Sequence, residues 1–189
     1  MTVIIAITHN EKVWMGGDRN RNMGPTSFSS PNPKVWKRTD DFENGWVFGS
    51  AGNSQLHQIA QYQVSLPIEN PYNQEDLCGY LYRGFVLPLY KELKECGALI
   101  KTPKGKDDME GTILLGLCGK IFHVNGLAVN QISNAFATTG IADDAAFCHL
   151  DALFTHGVGL TPEQMIRSAI HSAGTRFPVI GGGMDIICT

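Results

Sequence analysis

The sequence predicts an α+β protein in which antiparallel sheets are covered by helices. Short apolar runs with a period of two, bounded by turn residues, indicate strands, and apolar residues three or four positions apart indicate helices. Along the chain these segments come as strands, two helices, strands, two helices and a strand. Strands grouped in this way favour antiparallel sheets with outer helices over alternating βαβ units.

The first block of the chain is predicted to hold four strands. A hairpin joins residues 2–7 to residues 13–15 through a short polar turn. A loop rich in Ser, Pro and Asn then leads to short apolar strands at 34–38 and 46–48. The last of these strands ends in the small-residue segment 49–52, with the sequence GSAG.

From Asn53 the apolar period changes to that of a helix. The first helix is predicted to end before Pro67, because proline disfavours a helical residue before it. A second helix is predicted to be capped by Asn73 and to stop at Gly97. Pro88 favours a kink within this second helix.

The second half of the chain repeats the order of strands followed by two helices. The clearest local signal is Thr161-Pro162 followed by Gln164, which predicts an N-cap, a proline in the first helical position and a capping box. The predicted segments are a charged loop at 101–110, strands at 112–115, 121–124, 127–132 and 135–140, a helix ending at Gly157, a helix from Pro162 and a strand at 184–187.

Composition argues against several classes of function. The 189 residues, of which 43% are apolar and 17% charged, indicate one globular domain spanning 1–189. A net charge of −3 with scattered Lys and Arg argues against nucleic-acid binding. No apolar run approaches the roughly 20 residues that cross a bilayer, and no signal-peptide pattern opens the chain. Five widely spaced cysteines without a CxxC pair predict reduced thiols, a cytoplasmic protein, and no metal or cofactor.

Residues near the start of the chain have the chemistry of an N-terminal nucleophile. Removal of Met1 would leave Thr2 first, and an α-amine with an ordinary pKa of about 8 could take its hydroxyl proton. Such a site needs a cation that lowers the pKa of the amine and stabilises developing negative charge. Lys34 could supply it with Asp18 as its partner, since Thr2 to Asp18 and Asp18 to Lys34 both span 16 positions. Backbone amides from Gly49 onward could bind an oxyanion.

These residues, in this order, resemble the proteasome β-subunits and the peptidase subunit of the bacterial two-component ATP-dependent protease. The resemblance rests on Thr2, on 13–19 (VWMGGDR), on 34–37 (KVWK) and on 49–52 (GSAG). It covers nearly the whole chain and is closest to short, propeptide-free bacterial or phage-encoded members. It implies a four-layer αββα sandwich of two antiparallel sheets flanked by helix pairs, which is the N-terminal-nucleophile hydrolase fold.

The resemblance also implies a function. It implies a threonine-type peptidase that cleaves peptides or unfolded proteins inside a homo-oligomeric ring, with an ATPase unfoldase as a further partner. By position in the family's motifs, Thr2 matches the nucleophile, Asp18 and Lys34 the charged pair, Gly49 the oxyanion-hole amide, Thr139 a hydroxyl near the terminal amine, and Arg21 and Val47 residues that shape the specificity pocket.

One segment departs from the family. Proteasome subunits carry an Asp and a Ser that support the terminal amine, where this chain has Phe177 and Ile180. Their absence leaves open a second hypothesis, in which the fold and assembly remain but catalysis is impaired and the role is structural. A third hypothesis is an amidohydrolase that acts on a small molecule, because the same terminal chemistry cleaves non-peptide amides.

Overall fold

The computed structural model describes residues 2–23, 26–43, 45–156 and 159–189. Met1 and the helix end predicted at Gly157 lie outside these residues. The strands in chain order are β1 (Val3–His9), β2 (Lys12–Asp18), β3 (Asn20–Met23), β4 (Thr26–Ser29), β5 (Val35–Thr39), β6 (Gly45–Gly52), β7 (Ile100–Lys101), β8 (Asp107–Asp108), β9 (Gly111–Leu117), β10 (Lys120–Asn125), β11 (Ala128–Ile132), β12 (Phe136–Gly140) and β13 (Met184–Cys188).

Two helical groups accompany these strands, one in each half of the chain. A 3₁₀ turn at Pro71–Asn73 precedes the second helix, and a π-helical turn at Tyr82–Val86 joins the second helix to the third. The helices are α1 (Ser54–Tyr62), α2 (Leu77–Leu81), α3 (Leu87–Glu95), α4 (Asp143–Thr155) and α5 (Pro162–Arg176).

The larger strands form two antiparallel sheets. The first has the order β12-β1-β2-β13, so the strands from the end of the chain lie outside the initial hairpin. The second has the order β11-β10-β9-β6-β5. In the first sheet Ile4 lies opposite Gly17 of β2 and Thr139 of β12. This register brings the start of β1 and the end of β2 to the same edge.

Three apolar clusters define four layers. The cluster between the sheets includes Ile4 and Met15 from the first sheet and Leu114 from the second. The helices α4 and α5 cover the outer face of the first sheet, and the helices α1 to α3 cover that of the second. The arrangement confirms the predicted four-layer αββα sandwich.

The strand β1 explains why the chain opens with a continuous apolar run. Successive side chains of a strand point to opposite faces, so Ile4 and Ala6 enter the layer between the sheets. Val3, Ile5 and Ile7 pack instead beneath α4 and α5. A strand covered on both faces needs apolar residues at every position.

Several local details differ from the sequence prediction. Asp76, not Asn73, caps the second helix, because its carboxylate accepts the Gly79 amide at 2.9 Å. The backbone departs from α-helical geometry in the π-helical turn, while Pro88 lies in the first turn of α3. The charged loop at 101–110 contains the small β7–β8 ladder. Within the residues described, no helix is long and apolar enough to cross a membrane.

The start of α5 yields a first testable prediction. The Thr161 hydroxyl accepts the Gln164 amide at 3.3 Å, and the Gln164 side chain accepts the Thr161 amide at 2.9 Å, which confirms the capping box. Thr161→Ala should lower the free energy of unfolding by about 1 kcal/mol and the melting temperature by about 2–4 °C. Thermal unfolding measures this, with Thr155→Ala at the exposed end of α4 as control. Equal melting temperatures for the Thr161→Ala variant and the wild type would contradict the prediction.

Candidate active site

Residue 2 is held at the edge of the first sheet by backbone hydrogen bonds. The Thr2 carbonyl accepts a hydrogen bond from the Ile141 amide at 2.9 Å, and the next amide, that of Val3, donates to Asp18 Oδ1 at 3.0 Å. Gly140 has φ +111°, and a Cβ atom there would overlap the Thr2 carbonyl oxygen. Only glycine therefore permits this close approach of the β12 end to Thr2.

The carboxylate of Asp18, at the end of β2, accepts hydrogen bonds from four donors. It is fully buried, and its Oδ1 atom accepts Lys34 Nζ at 2.9 Å as well as the Val3 amide. Its Oδ2 atom accepts the amides of Asn20 at 3.2 Å and Gly181 at 3.5 Å. These bonds fix the carboxylate between residue 2 and the lysine.

The ammonium group of Lys34 completes a buried ion pair. Lys34 precedes β5, only 4% of it is exposed, and its carbonyl accepts the Ser50 amide at 3.2 Å. Burial lowers the pKa of the ammonium group below its usual value, the charge and hydrogen bond of Asp18 oppose this shift, and the charge of Arg21 adds to it. The structure thus brings together Asp18, Lys34 and the backbone of residue 2, as the spacing predicts.

Gly49 and Thr139 lie in the sheets that flank this pair. Gly49 is within β6, and a Cβ atom there would overlap Ile4 Cγ2 and lie 2.9 Å from Met15 Sδ. Close packing of the two sheets therefore requires glycine at this position. The Thr139 hydroxyl is buried and lies 2.6 Å from the Thr112 hydroxyl. The oxyanion role of Gly49 and the role of Thr139 near the amine stay predictions.

The two residues predicted to shape a specificity pocket have different surroundings. Val47 is fully buried between the sheets in the same cluster as Val13. Its side chain faces the layer between the sheets, and its role in a specificity pocket stays a prediction. Arg21 lies in β3 and lines an open cavity of about 280 Å³ that also contacts His57 and Gln61.

A buried Ser–His pair beside Lys34 was not predicted. The Ser50 hydroxyl lies 2.8 Å from His57 Nδ1. The pKa of His57 is lowered to about 4, mainly by burial and also by the charges of Arg21 and Lys34, while a hydrogen bond with Gln61 opposes the shift. The imidazole is therefore neutral at neutral pH. No motif links a serine at a strand end with a histidine in the next helix, so the sequence carries no signal for this pair.

The segment after α5 supports Asp18 through its backbone. Ile180 is buried and Phe177 is partly buried in the apolar cluster below the first sheet. The Gly181 amide contacts Asp18, and its carbonyl accepts the amides of Arg19 and Asn20 at 3.0 and 2.9 Å. Neither side chain at 177 or 180 brings a polar group to the site. Within the described ranges, no group of three or more His, Cys, Asp or Glu is placed to hold a metal ion.

Comparisons with known proteins identify the fold. No family model matches this sequence, and no curated protein matches it either. Among solved structures, BPH of Thiobacillus denitrificans is 18% identical with a TM-score of 0.78, over 100% of this chain and 97% of that one. Eukaryotic HslV from Trypanosoma brucei is 16% identical with a TM-score of 0.68, over 98% of both chains.

A further similar structure is Anbu from Hyphomicrobium sp. strain MC1. It is 12% identical with a TM-score of 0.66, over 99% of this chain and 81% of that one. At such identities the likeness concerns the fold alone. The chain has the fold of the proteasome-like N-terminal-nucleophile hydrolases.

Proposed function

We propose that this protein is an N-terminal-nucleophile amide hydrolase in which Thr2 attacks after Met1 has been removed. The observation that carries the proposal is the Asp18 carboxylate, whose Oδ1 atom binds both Lys34 Nζ and the amide next to residue 2. A buried cation is thereby held beside the residue that would carry the nucleophile and the terminal amine.

The proposed amide hydrolysis has two steps, acylation of Thr2 and hydrolysis of the resulting ester. In the first, the Thr2 hydroxyl oxygen attacks the amide carbonyl and its proton passes to the α-amine. The oxyanion is stabilised by the Lys34 charge and by the Gly49 amide. The tetrahedral species then expels the leaving amine, which takes the proton from the α-ammonium, and an ester on Thr2 remains. In the second step water attacks this ester by the same proton route and restores the hydroxyl.

The lowered pKa of Lys34 and its buried position fit this role. Because the lysine is desolvated, its charge acts through a medium less polar than water and affects nearby groups more strongly. A cation at this place lowers the pKa of a terminal amine on residue 2, so that more of the amine is unprotonated near neutral pH.

Within this proposal the substrate is a peptide or unfolded protein, and the chain works in a homo-oligomeric ring with an ATPase unfoldase. Two similar structures support ligand binding and homo-oligomeric assembly, while the ring form and the unfoldase rest on the resemblance alone. One is the T. denitrificans protein in complex with epoxomicin, at 17% identity and a TM-score of 0.77 over 99% of this chain and 97% of that one. The other is a helical assembly of the Anbu complex from Pseudomonas aeruginosa, at 12% identity and a TM-score of 0.66 over 99% and 80%.

A peptide epoxyketone tests the nucleophile and the amine together. Its ketone carbon accepts the Thr2 oxygen and its epoxide is opened by the amine, so the adduct gains the whole reagent mass. We expect intact-mass analysis to show loss of Met1 and, after treatment, one adduct located on Thr2. Thr2→Ala should give none, and Thr155→Ala should react as the wild type does. Methionine-free wild-type protein that forms no adduct would overturn the proposal.

The apolar side chains of Phe177 and Ile180 favour a second candidate, a proteasome-like protein with impaired catalysis and a structural or interaction role. The measurement that separates the two is turnover of peptide substrates by protein that remains assembled. Turnover that Thr2→Ala abolishes supports the enzyme. Turnover that is absent in the wild type, or unchanged in Thr2→Ala, supports the structural role.

A further inference from the structure

We propose that the cavity lined by Arg21 selects an acidic side chain on the substrate residue whose carbonyl is attacked. This inference rests on the proposed function and adds its substrate class. The cavity has a volume of about 280 Å³ and lies between the β3–β4 hairpin and α1. Its lining combines polar side chains, among them Arg21, Asn32, His57 and Gln61, with the aromatic rings of Phe28 and Tyr62.

The guanidinium of Arg21 is poorly paired within the described part of the chain. Its Nε atom is buried without a hydrogen-bond partner there, and its Nη2 atom donates to the Asn32 carbonyl at a long 3.4 Å. The described lining of the cavity contains no Asp or Glu. A buried guanidinium donor without an acceptor is costly, and a carboxylate is the group that matches its planar set of donors.

The nearby Arg19 has a guanidinium group whose donors are paired with a carboxylate of this protein. Arg19 donates through Nε to Asp185 Oδ2 at 2.9 Å and through Nη2 to Asp185 Oδ1, which is a bidentate pair. On α5, Arg167 is likewise paired with Glu163. Among the described residues no carboxylate forms an ion pair of this kind with Arg21. The cavity therefore presents donors for an acidic group that comes from outside the chain.

The cavity is linked to the candidate catalytic residues through a chain of hydrogen bonds that starts at His57. His57 in its wall is hydrogen-bonded to Ser50, which follows Gly49 and whose amide binds the Lys34 carbonyl. Burial lowers the pKa of both Lys34 and His57, and the charge of Arg21 lowers both further, so its field reaches the catalytic lysine. In our proposal the side chain of the attacked residue enters the cavity while its carbonyl lies beside residue 2.

Matched substrates isolate the effect of charge. Three peptides would differ only in the residue before a fluorogenic amine, which is Glu, Gln or Leu. Because Glu and Gln have the same shape, their ratio of kcat/KM reports the carboxylate alone. For the wild type we expect Glu to exceed Gln on the order of 10- to 100-fold, since charge-assisted pairing to arginine strengthens binding. For Arg21→Gln we expect a ratio below about 3.

Control variants make the result specific to this arginine. Arg21→Lys keeps the charge and should retain a preference for Glu, and Arg21→Glu should shift the preference towards a Lys-containing peptide. Arg167→Gln removes an exposed arginine on the other helical layer and should keep the wild-type ratio. Equal rates for Glu and Gln in the wild type, or a Glu preference that persists in Arg21→Gln, would overturn the assignment of the cavity.

A separate labelling experiment distinguishes this failure from failure of the proposed function. An epoxyketone with Ala at the same position does not use the cavity and should label Thr2 equally in the wild type and in Arg167→Gln. Labelling combined with no preference for Glu would overturn the substrate class and leave the hydrolase proposal standing. No labelling in methionine-free protein would overturn the hydrolase proposal and this inference with it.

Discussion

Replacing Lys34 by Met will lower the free energy of unfolding by about 3 kcal/mol and will reduce kcat/KM on the order of 10²- to 10³-fold. The variant keeps most of the side-chain volume but leaves the fully buried carboxylate of Asp18 without its cation. Removal of one partner from a buried pair costs more than the pair itself contributes. The loss of stability stays near the lower end of the range that is usual for a broken buried ion pair. The reason is that the amides of Val3, Asn20 and Gly181 still contact the carboxylate.

Urea unfolding and peptide turnover measure the two effects separately. The double variant Asp18→Asn/Lys34→Met removes both charges and should recover at least half of the lost stability, while activity stays as low as in Lys34→Met. Recovery of stability without activity would show that the loss of turnover does not follow from the loss of stability. A Lys34→Met variant with wild-type turnover and a wild-type unfolding midpoint would contradict the prediction.

Acidification from pH 7 to pH 4.5 will remove about 2 kcal/mol of stability through His57 alone. The group has a pKa of about 4 in the folded protein and an ordinary value of 6.5 when unfolded. Between these values the unfolded chain binds more protons, so the free energy of unfolding falls as the pH falls through this window. Burial is the main cause, and protonation would also place a charge beside Arg21 and Lys34.

The pH dependence of His57→Gln tests this prediction. Urea titrations at pH 7 and pH 4.5 give the free energy of unfolding of each variant at each pH. We expect the difference between the two pH values to shrink by about 2 kcal/mol in His57→Gln and to stay unchanged in His171→Gln, whose side chain is exposed. Burial also lowers the pKa of His123, so part of the wild-type dependence should persist in both variants. Equal pH dependence in the wild type and His57→Gln would refute the role of this histidine.

The residue patterns were sufficient to predict antiparallel sheets with outer helices and a pairing of Asp18 with Lys34, and the resemblance implied the four layers. The strand and helix periods of the chain are set by burial. Because β1 is buried on both faces, its apolar run has no period, and its short length and the polar turn after it indicate a strand. Thr2, Asp18 and Lys34 are equally spaced in the sequence, and this spacing fits a fold in which the strand ends that carry them lie at one edge of the sandwich. The contact between Asp18 and Lys34 joins the end of β2 in the first sheet to the start of β5 in the second.

The cavity and its surroundings could not be predicted in this way. The β3–β4 hairpin was expected to be a loop, because its short strands are polar and show no alternation of apolar residues. The pairing of Ser50 with His57 depends on how α1 leaves the second sheet, which local patterns do not encode. Val47 was assigned to the pocket by position alone, whereas strand alternation turns its side chain into the core.

The backbone contacts of residue 2 have a consequence for maturation. Its carbonyl is bound by Ile141, and the following amide is bound by Asp18. Both anchors lie on the side of Thr2 that faces the rest of the strand, so cleavage of the peptide bond before it breaks neither of them. A chain that still carries Met1 would therefore be a folded zymogen. Removal of Met1 would change only its covalent structure and would need no rearrangement of the scaffold.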